Sequence, residues 1–172
     1  THPFAAQMSS NAVAASHQTG VPLLALTRPA WQPGPDDRWQ QVPDMAAAVA
    51  ALSGPPQNVM LAIGRMHLAE FAAQPQHNYL LRLVDAPTEV PPLPRHTIVV
   101  DRGPFDADAD RALMQTHGID LIVSKNAGGT GSVSKLDAAR ALQLPVLMID
   151  RPNLPPRAET HTLAQVLAWI SA

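Results

Sequence analysis

From residue 58 onward the chain alternates short, almost wholly apolar runs with stretches whose apolar residues recur at helical spacing. Val59 to Ile63, Tyr79 to Val84, Thr97 to Val100, Leu121 to Val123 and Val146 to Ile149 are the apolar runs. Each predicts a strand covered on both faces, since a strand with one wet face would alternate. Met66 to Ala73, Asp106 to His117, Val133 to Leu142 and Thr160 to Ile170 carry the helical pattern. Asp106, Asp108 and Asp110 fall near the positive end of their helix, where acidic side chains are favoured. The earlier part is less regular. Phe4 to Thr19 predicts a helix stopped at Gly20, and Val21 to Thr27 a buried strand ending at Arg28-Pro29. Ala30 to Asp37 reads as a loop, Arg38 to Val42 as a short strand, and Asp44 as the cap of an alanine-rich helix.

Strand and helix in alternation predict the α/β class with a parallel sheet. The 18 prolines mostly fall in clusters between the periodic segments, at 29–35, 55–56, 91–94 and 152–156, and so mark loops. A boundary is expected at Ser53-Gly54-Pro55-Pro56, dividing residues 1–54, the remaining part of an N-terminal α/β domain, from a C-terminal α/β domain at 55–172. The portion before it is too short for a complete doubly wound domain, and the chain opens on Thr rather than Met. Further sequence upstream is therefore expected.

Composition narrows the function. Hydrophobic residues make up 46% and charged residues 15%, which fits a folded domain and excludes intrinsic disorder. A net charge of -2 supplies no basic field for a nucleic acid. With no cysteine there are no disulfides, thiolate nucleophiles or Cys-ligated metals, which is compatible with a cytoplasmic location. No apolar stretch approaches the roughly 20 residues that cross a bilayer. The seven histidines show no ligand spacing, since His67 and Glu70 stand in His-Leu-Ala-Glu and not His-Glu-x-x-His, so no metal is expected. His17, His77, His96 and His117 read as surface or loop residues.

The richest chemistry is in Ser124-Lys-Asn-Ala-Gly-Gly-Thr-Gly-Ser-Val-Ser-Lys135, a glycine loop between a strand and a helix. Glycines let backbone N–H groups approach an anion, and two lysines flank them. It is neither known nucleotide fingerprint. A Walker A count from Gly129 meets Ser134, Lys135 and Leu136 where Gly-Lys-Ser/Thr is required, and the dinucleotide pattern meets Ser134 at its third glycine. Ligands of parallel sheets bind beyond the carboxyl ends of the strands. Here those ends carry Arg28, Gly64-Arg65, Asp101-Arg102-Gly103, Lys125-Asn126 and Asp150-Arg151-Pro152. Such a set predicts a cationic cleft for carboxylates or phosphates. Asn126 also suits a turn, and Lys135 an exposed helix position. His2 stands out among the histidines because it opens a His-Pro-Phe element at a helix start.

Thr1-His-Pro-Phe-Ala5, Thr19-Gly-Val-Pro-Leu-Leu24, Arg28-Pro-Ala-Trp31, Lys125-Asn-x-Gly-Gly129, Lys135-Leu-x-Ala-Ala-Arg140 and Arg151-Pro152, in this order, resemble the precorrin-6A reductases of cobalamin biosynthesis over essentially the whole chain. That family normally begins with a strand and a Gly-Gly-Thr loop tens of residues before the Thr-His-Pro-Phe region, and neither precedes Thr1 in this sequence. The resemblance implies two Rossmann-like or flavodoxin-like parallel-sheet domains facing a cleft, the first incomplete here. It implies NADPH as hydride donor and precorrin-6A, a polycarboxylated tetrapyrrole, as the substrate reduced to precorrin-6B. Other cobalamin-pathway enzymes are possible partners. Lys125, Asn126, Gly128, Gly129, Thr130 and Lys135 then become cofactor contacts, and Arg28, Gly64, Arg65 and Arg151 substrate contacts, with the division between the two ligands open. His2 becomes the candidate catalytic residue, while the proton that accompanies hydride is left to water, His2 or a carboxylate. Two alternatives stand beside this one: a cobalt-precorrin-6A reductase, and a non-catalytic tetrapyrrole- or nucleotide-binding module.

Overall fold

Every strand pairing in the computed structural model, which describes residues 2–171, is parallel. The elements are α1 (Ala6–Thr19), β1 (Leu24–Leu26), β2 (Arg38–Val42), α2 (Met45–Ala51), β3 (Asn58–Ala62), a 3-10 helix (Arg65–Ala73), β4 (Asn78–Leu83), β5 (His96–Val100), α3 (Ala107–Thr116), β6 (Leu121–Lys125), α4 (Ser134–Ala141), β7 (Pro145–Ile149), β8 (Ala158–Thr160) and α5 (Leu163–Ile170). The expected α/β class is the observed one.

The chain forms two compact units, one of residues 1–31, 127–129 and 151–172, the other of residues 32–126 and 130–150. The expected boundary at residue 54 falls inside the second unit, because β2 pairs with β7 along its whole length and brings α2 with it. Sequence composition marks the proline loop at 53–56 as a break. Long-range strand pairing decides otherwise.

The second unit holds the six-stranded sheet, in the order β2-β7-β6-β3-β4-β5. Its central strands are buried at successive positions, as in Val59, Met60 and Leu61 of β3 and Ile122 and Val123 of β6. Neighbouring residues of a strand point to opposite faces, so both faces are covered, and each such side chain contributes about 1.5–3 kcal/mol. Asp44 caps α2 by accepting from the Ala47 N–H at 2.8 Å, and Asp106 caps α3 through Asp108 and Ala109. The short helix expected at Met66 to Ala73 is a 3-10 helix over Arg65–Ala73. Its Phe71 packs edge-on against Tyr79 of β4, whose hydroxyl donates to the Gln74 carbonyl at 2.8 Å. Burial pushes that phenol up to about 12.

In the first unit, β1 and β8 make a two-stranded sheet. Only Leu24–Leu26 of the expected strand at 21–27 takes part, and β8 carries no apolar run by which it would be recognised. The final helix starts at Leu163, three residues later than expected, since Thr162 caps it by accepting from the Gln165 N–H. Thr160, expected inside that helix, instead pairs with Leu26 as the last residue of β8. α5 is strongly apolar yet has no buried residue, and it exposes Leu163, Leu167 and Ile170. Gly20 ends α1 in the left-handed conformation with φ 71°, as a glycine stop predicts.

Candidate functional site

In the second unit the chain runs from β3 outward through β4 to β5, then returns to place β6 on the other side of β3. A reversal of this kind opens a crevice beyond the carboxyl ends of the two strands on either side of it. Those strands end side by side, with Ala62 paired to Ser124. The residues that follow are Ile63-Gly64-Arg65 and Lys125-Asn126, so Gly64, Arg65 and Lys125 of the sequence reading lie where such a fold binds ligands.

Gly64 has φ 76° and ψ 173°, a conformation open essentially to glycine alone, and a Cβ built on it meets nothing within 4 Å. The backbone here faces open space. No side chain caps the 3-10 helix that starts at Arg65, so its first N–H groups are left to solvent or an anion. Lys125 is half-buried, and burial lowers its pKa while the Glu70 carboxylate opposes the shift. Glu70 also accepts from His67 Nδ1 at 2.7 Å. Asn126 is buried, and its N–H donates to the Ile149 carbonyl at 2.9 Å, which continues the β6–β7 ladder by one residue. Thr130 is exposed.

Lys135 differs from the exposed helix residue that the sequence allows. It is 4% exposed and its Nζ donates to the Ser132 carbonyl at 2.5 Å. Burial pulls its pKa down to about 7, Arg82 pulls the same way, and Asp110 opposes them. Asp110 is itself buried, forms an ion pair with Arg82 and accepts from Ser134 Oγ at 2.7 Å. The Arg82 guanidinium lies 4.1 Å from the centre of the Phe105 ring. Lys135 therefore belongs to a buried polar cluster with Arg82, Asp110 and Ser134. The sequence shows its members only as scattered charges, since Arg82 and Asp110 each sit in an otherwise ordinary strand and helix.

In the first unit the glycines of the loop receive protein. A Cβ on Gly128 would lie 2.1 Å from the Pro29 carbonyl oxygen and 2.5 Å from Arg151 Nη2, and one on Gly129 would lie 2.6 Å from Arg28 Cδ. These two glycines make room for the Arg28-Pro29 corner and the Arg151 side chain, where the sequence suggests a ligand. Trp31 Nε1 fastens the loop by donating to the Gly129 carbonyl at 2.8 Å, and Arg151 donates to the Ala127 carbonyl at 3.3 Å. Burial and the nearby Arg28 lower the Arg151 pKa, and Glu159 opposes them. Two guanidiniums held this close favour an anion beside them.

Arg28 and His2 line one pocket of about 500 Å³ with Leu26, Thr27, His161 and Leu163. His2 lies ahead of α1, not in it, and its Nδ1 accepts from the Phe4 N–H at 3.2 Å. Thr1, the first residue of the motif, lies outside the described residues. The sequence reading passes over His161. A Thr-x-x-Gln box at Thr162 and Gln165 marks the helix start and could have located the histidine just before it.

Of the histidines expected at the surface, His77 is instead buried, with Nδ1 accepting from the Gln57 N–H and Nε2 donating to the Leu52 carbonyl at 2.7 Å. Its two backbone partners make it part of the core. Among the described residues no group of three metal-ligating side chains comes together, and no helix is long and apolar enough to cross a membrane.

Residues 1–171 match the family described as Precorrin-6x reductase CbiJ/CobK. The chain is 54% identical over 171 residues to a precorrin-6A reductase of Rhodobacter capsulatus, covering 99% of this chain and 68% of that one. It is 44% identical to the precorrin-6A reductase of Rhodococcus erythropolis with the same coverage. A cobalt-precorrin-6A reductase of Priestia megaterium is 31% identical over 182 residues, with 97% and 69% covered. Among solved structures, CobK precorrin-6A reductase superposes with a TM-score of 0.97 at 54% identity, over 99% of this chain and 70% of that one.

Proposed function

The chain belongs to the precorrin-6x reductase family, and on that membership we propose that it reduces precorrin-6A to precorrin-6B with NADPH. It is an oxidoreductase that saturates one carbon–carbon double bond of a tetrapyrrole. The observation that carries this reading is identity of 54% and 44% to precorrin-6A reductases over nearly the whole chain. Identity to the cobalt-precorrin enzyme of Priestia megaterium is 31%, which favours the metal-free macrocycle.

The residues present fit two anionic ligands. NADPH, when bound, supplies the hydride; the protein's part is to hold and orient. Gly64, with open space where a Cβ would be, admits a phosphate or carboxylate to the first N–H groups of the 3-10 helix. Arg65 and Lys125 add cations beside it. Arg28 and Arg151 give the first unit its own positive locus. We assign Lys125, Asn126, Gly128, Gly129, Thr130 and Lys135 to the cofactor side and Arg28, Gly64, Arg65 and Arg151 to the substrate side. Within those sets Gly128, Gly129 and Lys135 act by shaping the loop, and Arg28, Arg65, Lys125 and Arg151 by touching the ligand. A cytoplasmic location accompanies this reading, as a reduced nicotinamide pool is required.

The test is turnover of precorrin-6A with NADPH and NADH compared, following loss of nicotinamide absorbance and gain of a product two hydrogens heavier. Faster reduction with NADPH is the expected result. Binding of the macrocycle without reduction by either nucleotide would favour a non-catalytic module.

A further inference from the structure

Saturating a double bond takes a proton as well as a hydride. The pocket formed by His2, Leu26, Thr27, Arg28, Pro29, His161 and Leu163 has the chemistry for it. It lies at the carboxyl ends of the parallel strands β1 and β8, which pair Leu26 with Thr160, so Thr27-Arg28 and His161 leave the two strands together. Leu26 and Leu163 are exposed and give it an apolar wall suited to a flat conjugated ring. Arg28 supplies a cation for a carboxylate.

His161 is held in a defined way. Its Nδ1 lies 2.9 Å from the Thr27 carbonyl oxygen, which can only accept, so Nδ1 carries a hydrogen. The second proton of the ring can then reside only on Nε2. A backbone carbonyl that fixes one nitrogen and leaves the other for exchange is the usual arrangement of a working histidine. His2 is held the other way round, with Nδ1 accepting the Phe4 N–H. Histidine is the side chain that exchanges protons near neutral pH, and the two imidazoles of this pocket both turn Nδ1 to the backbone but differ in whether that nitrogen donates or accepts.

We propose that His161 is the proton donor of the reduction, a role that rests on the reductase reading above. As hydride from the reduced nicotinamide bonds to one carbon of the double bond, the displaced π pair takes the proton from His161 Nε2. The imidazolium becomes neutral imidazole and is recharged from solvent; the nucleotide leaves oxidised, and the macrocycle has gained two hydrogens. The titratable groups beside His161 are His2 and Arg28 in the pocket and, two residues before it on β8, Glu159, which is paired with Arg157 at 3.0 Å. α5 carries no ionisable side chain and β1 none.

His161→Asn separates this role from a structural one, since its amide nitrogen takes the place of Nδ1 and keeps the bond to Thr27. General acids contribute 10²–10⁴-fold, so kcat is expected to fall at least about 100-fold with KM for precorrin-6A within about threefold. A binding readout accompanies the kinetics: precorrin-6A added without nucleotide shifts the His161 ring signals in the NMR spectrum. Turnover by His161→Asn within fivefold of wild type, or ring signals indifferent to the macrocycle, would each overturn the assignment. If His161→Asn does not fold, His161→Gln and the wild-type ring signals decide. Failure of the wild-type protein to reduce precorrin-6A would instead defeat the reductase reading, and the ring signals would still report on the pocket.

Discussion

Gly128 and Gly64 both stand at positive φ, 69° and 76°, both follow strands of a parallel sheet, and they serve opposite ends. At Gly128 the missing side chain is filled by the protein itself, with the Pro29 carbonyl and the Arg151 guanidinium where a Cβ would be. At Gly64 the same space is empty. A glycine-rich motif is therefore two signals in one spelling. It marks either a close approach of the chain to itself or a close approach of a ligand, and only long-range packing tells them apart.

The charged residues divide in the same manner, and they give the largest effect. Asp110 faces Arg82, Ser134 and Lys135 from a position 3% exposed, whereas Lys125 and Arg65 meet solvent. Removing one partner of a buried ion pair leaves a charge without compensation. Asp110→Ala is expected to cost about 3–5 kcal/mol in denaturant unfolding, because the buried Arg82 guanidinium then has no counter-charge. A loss under 1 kcal/mol would mean that the cluster is wet. Gly128→Ala comes next. A Cβ 2.1 Å from a backbone oxygen forces the Arg28-Pro29 corner to move, and φ 69° adds strain, for about 2–4 kcal/mol together. Gly64→Ala meets no atom and pays only for its backbone, about 1–3 kcal/mol. If the two glycine variants proved equally destabilising, the contrast between packing and ligand approach would be lost.

Much of this frame is legible in the sequence because it depends on local pattern. The limits of β2 at Arg38–Val42 and the cap at Asp44 follow from residues within a few positions of each other. The strand ends that carry Gly64, Arg65 and Lys125 are legible too, since in a parallel sheet those ends are where apolar runs stop. β8 is not, because Ala-Glu-Thr has no strand signal of its own and is recruited by Leu24–Leu26 across more than 130 residues. The role of Lys135 is hidden for the same reason. Its helix start looks like an exposed turn, and only Asp110 from α3 and Arg82 from β4 convert it into a buried group. His161 is missed because it lies between β8 and α5, where the apolar pattern places a helix.

Lys135 makes the contrast testable by pH. Its pKa in the folded protein is about 7, below the roughly 10.4 of an unfolded lysine. Between those values the unfolded chain binds more protons, so stability rises with pH from about 7 to about 10. The penalty is complete below the folded value and absent above the unfolded one. Lys135→Met, which fills the site without a charge, is expected to flatten that rise, leaving other groups' contributions unchanged. Equal slopes in the two proteins, measured by denaturation across this range, would show that Lys135 stays charged and hydrated.

The smallest effect belongs to Lys125, and it is kinetic. A half-buried ammonium at the end of β6, opposed by Glu70, is dispensable for packing, since Lys125→Ala leaves the strand's apolar residues Leu121 to Val123 in place. Stability within about 0.5 kcal/mol of wild type is expected, as for surface substitutions elsewhere. A charge-assisted contact to a phosphate or carboxylate contributes on the order of 1.5 kcal/mol, which corresponds to roughly a tenfold rise in KM for one ligand with kcat little changed. Which KM moves identifies the ligand at the β3–β6 crevice. A rise for NADPH alone places the nucleotide there, a rise for precorrin-6A alone places the macrocycle there, and no change in either removes Lys125 from the site and leaves the crevice to Arg65 and the backbone at Gly64.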